Sequence, residues 1–98
     1  MIEKLKELKR ELRQEGFIIE GYFGSYARGT FQEGSDLDIL YSLTPAFLER
    51  YGGFRGFKKL EEIRRFMEDR LGVKVDLAPK NALSKTAKKY IYKDLIVC

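Results

Sequence analysis

Between Gly24 and Ile39 the chain reads G-S-Y-A-R-G-T-F-Q-E-G-S-D-L-D-I, a Gly-Ser pair followed after a short gap by two aspartates one residue apart. The pair suits a phosphate. Gly24 lets an anion approach the backbone, the Ser25 hydroxyl adds a donor, and the first N–H groups of a helix starting there favour negative charge. Arg28 stands beside this cradle, either as a surface residue of a short helix or as a partner of triphosphate oxygens. The aspartates suit a hard cation. As a strand, Asp36-Leu37-Asp38-Ile39-Leu40-Tyr41 puts Asp36 and Asp38 on one face and Leu37, Ile39 and Tyr41 on the other. Val73-Lys74-Val75-Asp76-Leu77-Ala78 repeats the arrangement with Asp76 opposite its apolar set, so neighbouring strands would make three carboxylates converge. Such a cluster repels itself until a cation sits in it. Mg²⁺ takes carboxylate oxygens together with substrate phosphates, and two metals ~4 Å apart clamp the attacking and leaving oxygens of a phosphoryl-type displacement.

Each feature alone has a plainer reading. Gly-Ser is common at strand-to-helix turns, and an isolated Asp-x-Asp can simply face solvent. Aspartate is a poor strand former, however, and all three lie in apolar, strand-like runs. Their combination favours chemistry.

Strands and helices must position these residues. Phe17 to Phe23, rich in β-branched and aromatic residues, predicts a strand that delivers Gly24 at its end. Ile2, Leu5, Leu8 and Leu12 recur at helical spacing, predicting a helix from Ile2 to Glu15 that stops at Gly16. Pro45 opens a short helical turn, and Tyr51 to Gly56 reads as a flexible joint. Its Tyr51, Phe54 and Arg55 hint at stacking on a base, although a plain connector explains the composition more simply. A long helix follows, with Phe57, Leu60, Ile63, Met67 and Leu71 on one face, Phe66 flanking and Gly72 as cap. Lys74 shares the Asp76 face, for a phosphate or for a carboxylate. Pro79 then breaks the chain, Ser84 caps a helix through about Tyr92, and Leu95 to Cys98 adds a short edge strand. The expected fold class is α/β, a small β-sheet covered by helices.

Composition narrows the chemistry. With 98 residues and 44% hydrophobic content, the expectation is a single domain over 1–98 around one small core. No apolar stretch approaches the ~20 residues of a membrane span, and the start mixes acids with bases, so a cytoplasmic location away from membranes is expected. Cys98 is the single cysteine and histidine is absent, which removes His/Cys zinc sites and histidine-dependent nucleophilic catalysis. Lys and Arg total 19 against 15 Asp and Glu, a mild excess compatible with ATP, RNA or an acidic protein surface.

Gly24-Ser25, Ala27-Arg28-Gly29 and Ser35-Asp36-Leu37-Asp38-Ile39 resemble the signature of the minimal nucleotidyltransferases, the smallest members of the DNA polymerase β-like nucleotidyltransferase superfamily. The resemblance covers nearly the whole chain. Asp76 falls where that family keeps its third metal-binding carboxylate. Tyr26 stands where the family often has Arg, and Thr30 to Gly34 lacks the usual Pro-Asp approach to the serine. The resemblance implies a small mixed β-sheet with the polymerase β-like core. It also implies transfer of AMP from ATP to a hydroxyl, with two Mg²⁺ ions held by Asp36, Asp38 and Asp76, and triphosphate held by Gly24 and Ser25. The implied partner is an all-helical HEPN-domain toxin that receives AMP on a tyrosine, which makes this chain an antitoxin; direct nucleic-acid binding is not expected. Three rivals stand beside it. A subunit of a small-molecule adenylyltransferase needs a further substrate-binding domain, a non-catalytic binding antitoxin needs contact alone, and a basic RNA-binding protein needs salt-sensitive, magnesium-independent affinity.

Overall fold

A computed structural model describes residues 1–98. The elements follow in the order α1 (Ile2–Arg13), β1 (Phe17–Phe23), α2 (Ser25–Arg28), β2 (Leu37–Leu43), α3 (Pro45–Arg50), α4 (Phe54–Leu71), β3 (Val75–Pro79), a 3₁₀ turn (Lys80–Ala82), α5 (Lys85–Asp94) and β4 (Ile96–Val97). The four strands form one mixed sheet in the order β3-β2-β1-β4. β1 runs antiparallel to β2 and β4, whereas β2 and β3 are parallel. A parallel neighbour requires a crossover, and α3 and α4 provide it. No helix is long and apolar enough to cross a membrane.

Periodicity explains the core. Leu5, Leu8 and Leu12 of α1, Phe17 and Ile19 of β1, Leu37, Ile39 and Tyr41 of β2, Phe47, Ile63, Met67 and Val75 form one buried cluster. Alternation turns Asp38 and Leu40 to the other side of β2. There Leu40 is itself buried, and α5 lies against β1 with Ile91 buried. Leu8 is fully buried, so Leu8→Ala should lower unfolding stability by about 3 kcal/mol. Urea denaturation checks this, and a loss below about 1 kcal/mol would mean that α1 docks only loosely.

β1 contains an irregularity that the apolar pattern does not announce. Ile19 pairs with Tyr41 and Gly21 with Leu40, leaving Glu20 as an extra residue, a β-bulge. Beyond it Tyr22 pairs with Ile39 and Phe23 with Asp38. Glu20 accepts a hydrogen bond from the Ser42 hydroxyl at 2.7 Å and lies 3.8 Å from the Lys80 ammonium.

Several expected boundaries shift. The joint ends at Gly53, whose φ of 63° starts α4 at Phe54, so Gly56 lies inside the first turn. A side chain at Gly56 would stand 2.6 Å from the Tyr51 carbonyl oxygen, which accounts for a glycine there. Phe57 does not join the buried stripe and is 76% exposed. β3 begins at Val75, although the Lys74 carbonyl already accepts the Leu37 N–H at 2.7 Å. The expected C-terminal edge strand forms at Ile96–Val97.

Candidate active site

Two strands and one turn build the candidate site. Asp38 and Asp76 are register partners on the parallel pair β2 and β3, so both carboxylates rise from one face of the sheet. Asp36 lies one residue before β2, outside the strand ladder, and is exposed, so the expected same-face pairing with Asp38 is not fixed by the sheet. Ser35 sets up that approach, its hydroxyl accepting the Gln32 N–H at 3.0 Å. Asp76 is exposed and Asp38 half-buried. The Asp38 carboxyl is held above the usual aspartate range, first by burial and then by the charges of Asp76 and Asp36, against which Arg28 acts.

Gly24 closes the site on the β1 side. It follows Phe23, the partner of Asp38, and takes φ 75° and ψ −149°, a conformation reserved almost wholly for glycine. A Cβ built on it would lie 2.2 Å from Asp38 Oδ2. Backbone and carboxylate are therefore in direct contact. Ser25 opens the single turn of α2, whose leading N–H groups lack intrahelical acceptors, and Gly29 ends that turn in the left-handed region. Arg28 Nη1 is 2.7 Å from Asp94 Oδ2, so its guanidinium is held by α5 while still acting on Asp38.

The charges of Asp76 and Asp36 both reach Asp38, but as placed the three aspartates do not close into a three-ligand group. Their chemistry nevertheless fits a divalent cation, since the donors are oxygens and one member is charged only against mutual repulsion. Lys74 is exposed and has no carboxylate within ion-pair distance among the eight bridges of the chain. The other stacking candidates lie beyond the opposite end of β2, where the Tyr51 hydroxyl donates to Glu15 at 2.9 Å and its ring packs on Phe47. Sequence reasoning missed Asp94. The available signal was an acid in the last turn of a helix otherwise carrying lysines, a position where the dipole disfavours negative charge.

A model of the nucleotidyltransferase domain family matches residues 3–98. The protein adenylyltransferase MntA of Thermococcus cleftensis is 34% identical over 91 residues, covering 90% of this chain and 82% of the relative. A candidate protein adenylyltransferase of Methanocaldococcus jannaschii, MJ1217, is 37% identical over 101 residues, covering 94% and 95%. Among solved structures, a candidate minimal nucleotidyltransferase superposes with a TM-score of 0.72 at 24% identity, over 95% of this chain and 87% of the other. A toxin-antitoxin structure determined with AMP-PNP superposes with a TM-score of 0.70 at 21% identity, over 97% and 69%. Both likenesses are of fold, the mixed four-stranded sheet with its helices.

Proposed function

The chain belongs to the nucleotidyltransferase domain family, and on that premise we propose that it transfers AMP from ATP to a hydroxyl of a partner protein. The observation that carries the reading is the register of Asp38 with Asp76, with the Gly24 backbone against Asp38. The names of its relatives support a protein as acceptor, and a neighbour in fold was solved with an ATP analogue.

In this reading all of the machinery lies in one domain over 1–98. Asp36, Asp38 and Asp76 would hold Mg²⁺, as two ions, and the metal supplies charge neutralisation for the triphosphate and the leaving pyrophosphate. Gly24 and the leading N–H groups of α2 receive phosphate oxygens, and the Ser25 hydroxyl donates one more hydrogen bond. Arg28, oriented by Asp94, adds positive charge at the mouth of the cradle. The acceptor hydroxyl, facing Asp76, the most open of the strand-borne carboxylates, gives up its proton there as its oxygen attacks the α-phosphorus and the bond to the leaving pyrophosphate breaks. Positioning and charge account for most of the rate.

The acceptor is a tyrosine of a HEPN-type helical toxin, and the chain its antitoxin, acting in the cytoplasm without direct nucleic-acid binding. The resemblance of the Gly-Ser and Asp-x-Asp motifs supports that partner, as does a neighbour in fold solved as a toxin-antitoxin pair. The test is intact-mass analysis of this chain and the product of the adjacent gene after incubation with ATP and Mg²⁺. One adenylate should appear on the partner with the wild type and none with the Asp36→Asn, Asp38→Asn double variant. A partner silenced by that double variant at ordinary expression, with no adenylate in the wild-type pair, would establish neutralisation by contact instead.

A further inference from the structure

The outer face of α4 carries exposed charges and rings, of which Phe66 has the Arg70 guanidinium over it at 4.9 Å. Phe54 is 92% exposed, Phe57 76% and Phe66 38%. Most ions of this helix are paired: Lys59 with Glu15, Arg64 with Glu61 and Glu68, Arg65 with Glu61, and Arg70 with Glu11. Arg55, Lys58, Glu62 and Asp69 are not, and of these Lys58 and Glu62 share a face. Lys58 and Glu62 stand four residues apart with the lysine first, the weaker order for a pair within one helix.

Phe54, Lys58, Glu62 and Phe66 are spaced by four and so form one ridge. That ridge is its own complement when reversed. We propose that two copies of this chain associate through α4 about a two-fold axis passing between Lys58 and Glu62. Antiparallel, Phe54 meets the second copy's Phe66, and Lys58 meets the second copy's Glu62, each contact occurring twice as an isologous interface requires. Ridges of this spacing cross at about −50°. Beside the ridge lies a recess of about 400 Å³ between α1 and α4, where Leu12, Ile63 and Phe66 give the incoming Phe54 ring an apolar floor and Glu11, Glu15, Lys59 and Glu62 form a charged rim. A specific interface takes about 800 Å² per copy, roughly an eighth of the chain's 6625 Å² surface, so the edge of α1 joins α4 in the contact. At ~1.5 Å per residue α4 is ~27 Å long, and its C-terminal end leads to β3. The antiparallel pairing therefore puts the two carboxylate faces at opposite ends of the dimer, both open.

The experiment is sedimentation equilibrium of the purified chain at micromolar concentrations, with four variants. The wild type should have twice the 11.5 kDa chain mass. Phe54→Asp, at a position too exposed to affect folding, should weaken dimerisation at least about thirtyfold. Lys58→Glu and Glu62→Lys should each be monomeric alone, since like charges then face across the axis. Mixed in equal amounts, these two variants should form a heterodimer, and the Lys58→Glu, Glu62→Lys double variant should dimerise by itself. A monomeric wild type overturns the proposal. So does a dimer that none of these substitutions weakens, or a mixture of the two single variants that stays monomeric.

Discussion

Asp38→Asn should lower the rate of nucleotidyl transfer about a thousandfold while raising the melting temperature of the protein measured without metal. The first effect follows from the proposed role, because removing a ligand charge forfeits several kcal/mol of stabilisation of the reacting phosphate. The second follows from the geometry alone. Burial and the neighbouring Asp76 and Asp36 charges raise the Asp38 pKa in the folded chain, so the ionised carboxylate works against folding. With a raised folded value, stability is fully present below the ordinary aspartate range and is lost as pH rises through the raised value. Asparagine does not ionise. The gap in melting temperature should thus be absent at low pH, open above the ordinary aspartate range and level off once pH has passed the raised Asp38 value. Mg²⁺ should then stabilise the wild type and leave Asp38→Asn unmoved, narrowing the gap. Thermal melts across pH with and without Mg²⁺, beside a transfer assay, separate the two claims. An equal Mg²⁺-dependent shift in both proteins would remove Asp38 from the metal site, whatever the activity.

Gly24→Ala should weaken ATP binding more than tenfold, and Gly24→Val more still, whereas Ser25→Ala should lose only a few-fold. Gly24 carries two constraints at once. Its backbone lies in a region that costs other residues about 1 to 3 kcal/mol, and its missing side chain is the space that Asp38 Oδ2 occupies. Any Cβ must displace either α2 or the carboxylate. Ser25 contributes one donor among several, so its loss is of the order of one hydrogen bond. Calorimetric titration with ATP and Mg²⁺ ranks the three variants, and unchanged affinity in Gly24→Val would mean that phosphate does not approach this turn.

Most of the fold was legible because its signals are local. The α1 stripe, the span of β1, the Pro45 start of α3, the Gly72 stop and the Ser84 cap are each set by residues within a turn of one another. The Thr44 and Ser84 hydroxyls accept the N–H groups of Phe47 and Ala87. What escaped was set at a distance. Phe57 fits the helical stripe by spacing yet is exposed, as is Phe54 beside it in the first turn of α4, which begins earlier than the glycines suggest. The ion pair of Arg28 with Asp94 joins residues 66 apart and leaves no mark on either segment. In the candidate site, Asp38 and Asp76 came from alternation on their own strands, but their facing in register depends on the β2–β3 pairing. Asp36 alternates with Asp38 by count while lying outside the ladder, since Gln32 to Ser35 turns immediately before it.

The bulge at Glu20 has a bearing on how this chain tolerates changes of length. In an unbroken strand, losing one residue sends every later side chain to the wrong face. β1 carries a surplus residue, and Ile19, Gly21, Tyr22 and Phe23 without Glu20 alternate in the same sense against Tyr41, Leu40, Ile39 and Asp38. A one-residue deletion at this point leaves the core ring Tyr22 and the Phe23–Gly24 approach on their present sides, at the expense of local twist and the Ser42 and Lys80 contacts. Elsewhere in β1 or β2 the same deletion scrambles the inside and outside of the sheet. Position 20 is thus the place in the sheet where drift in length is absorbed before it reaches the carboxylates.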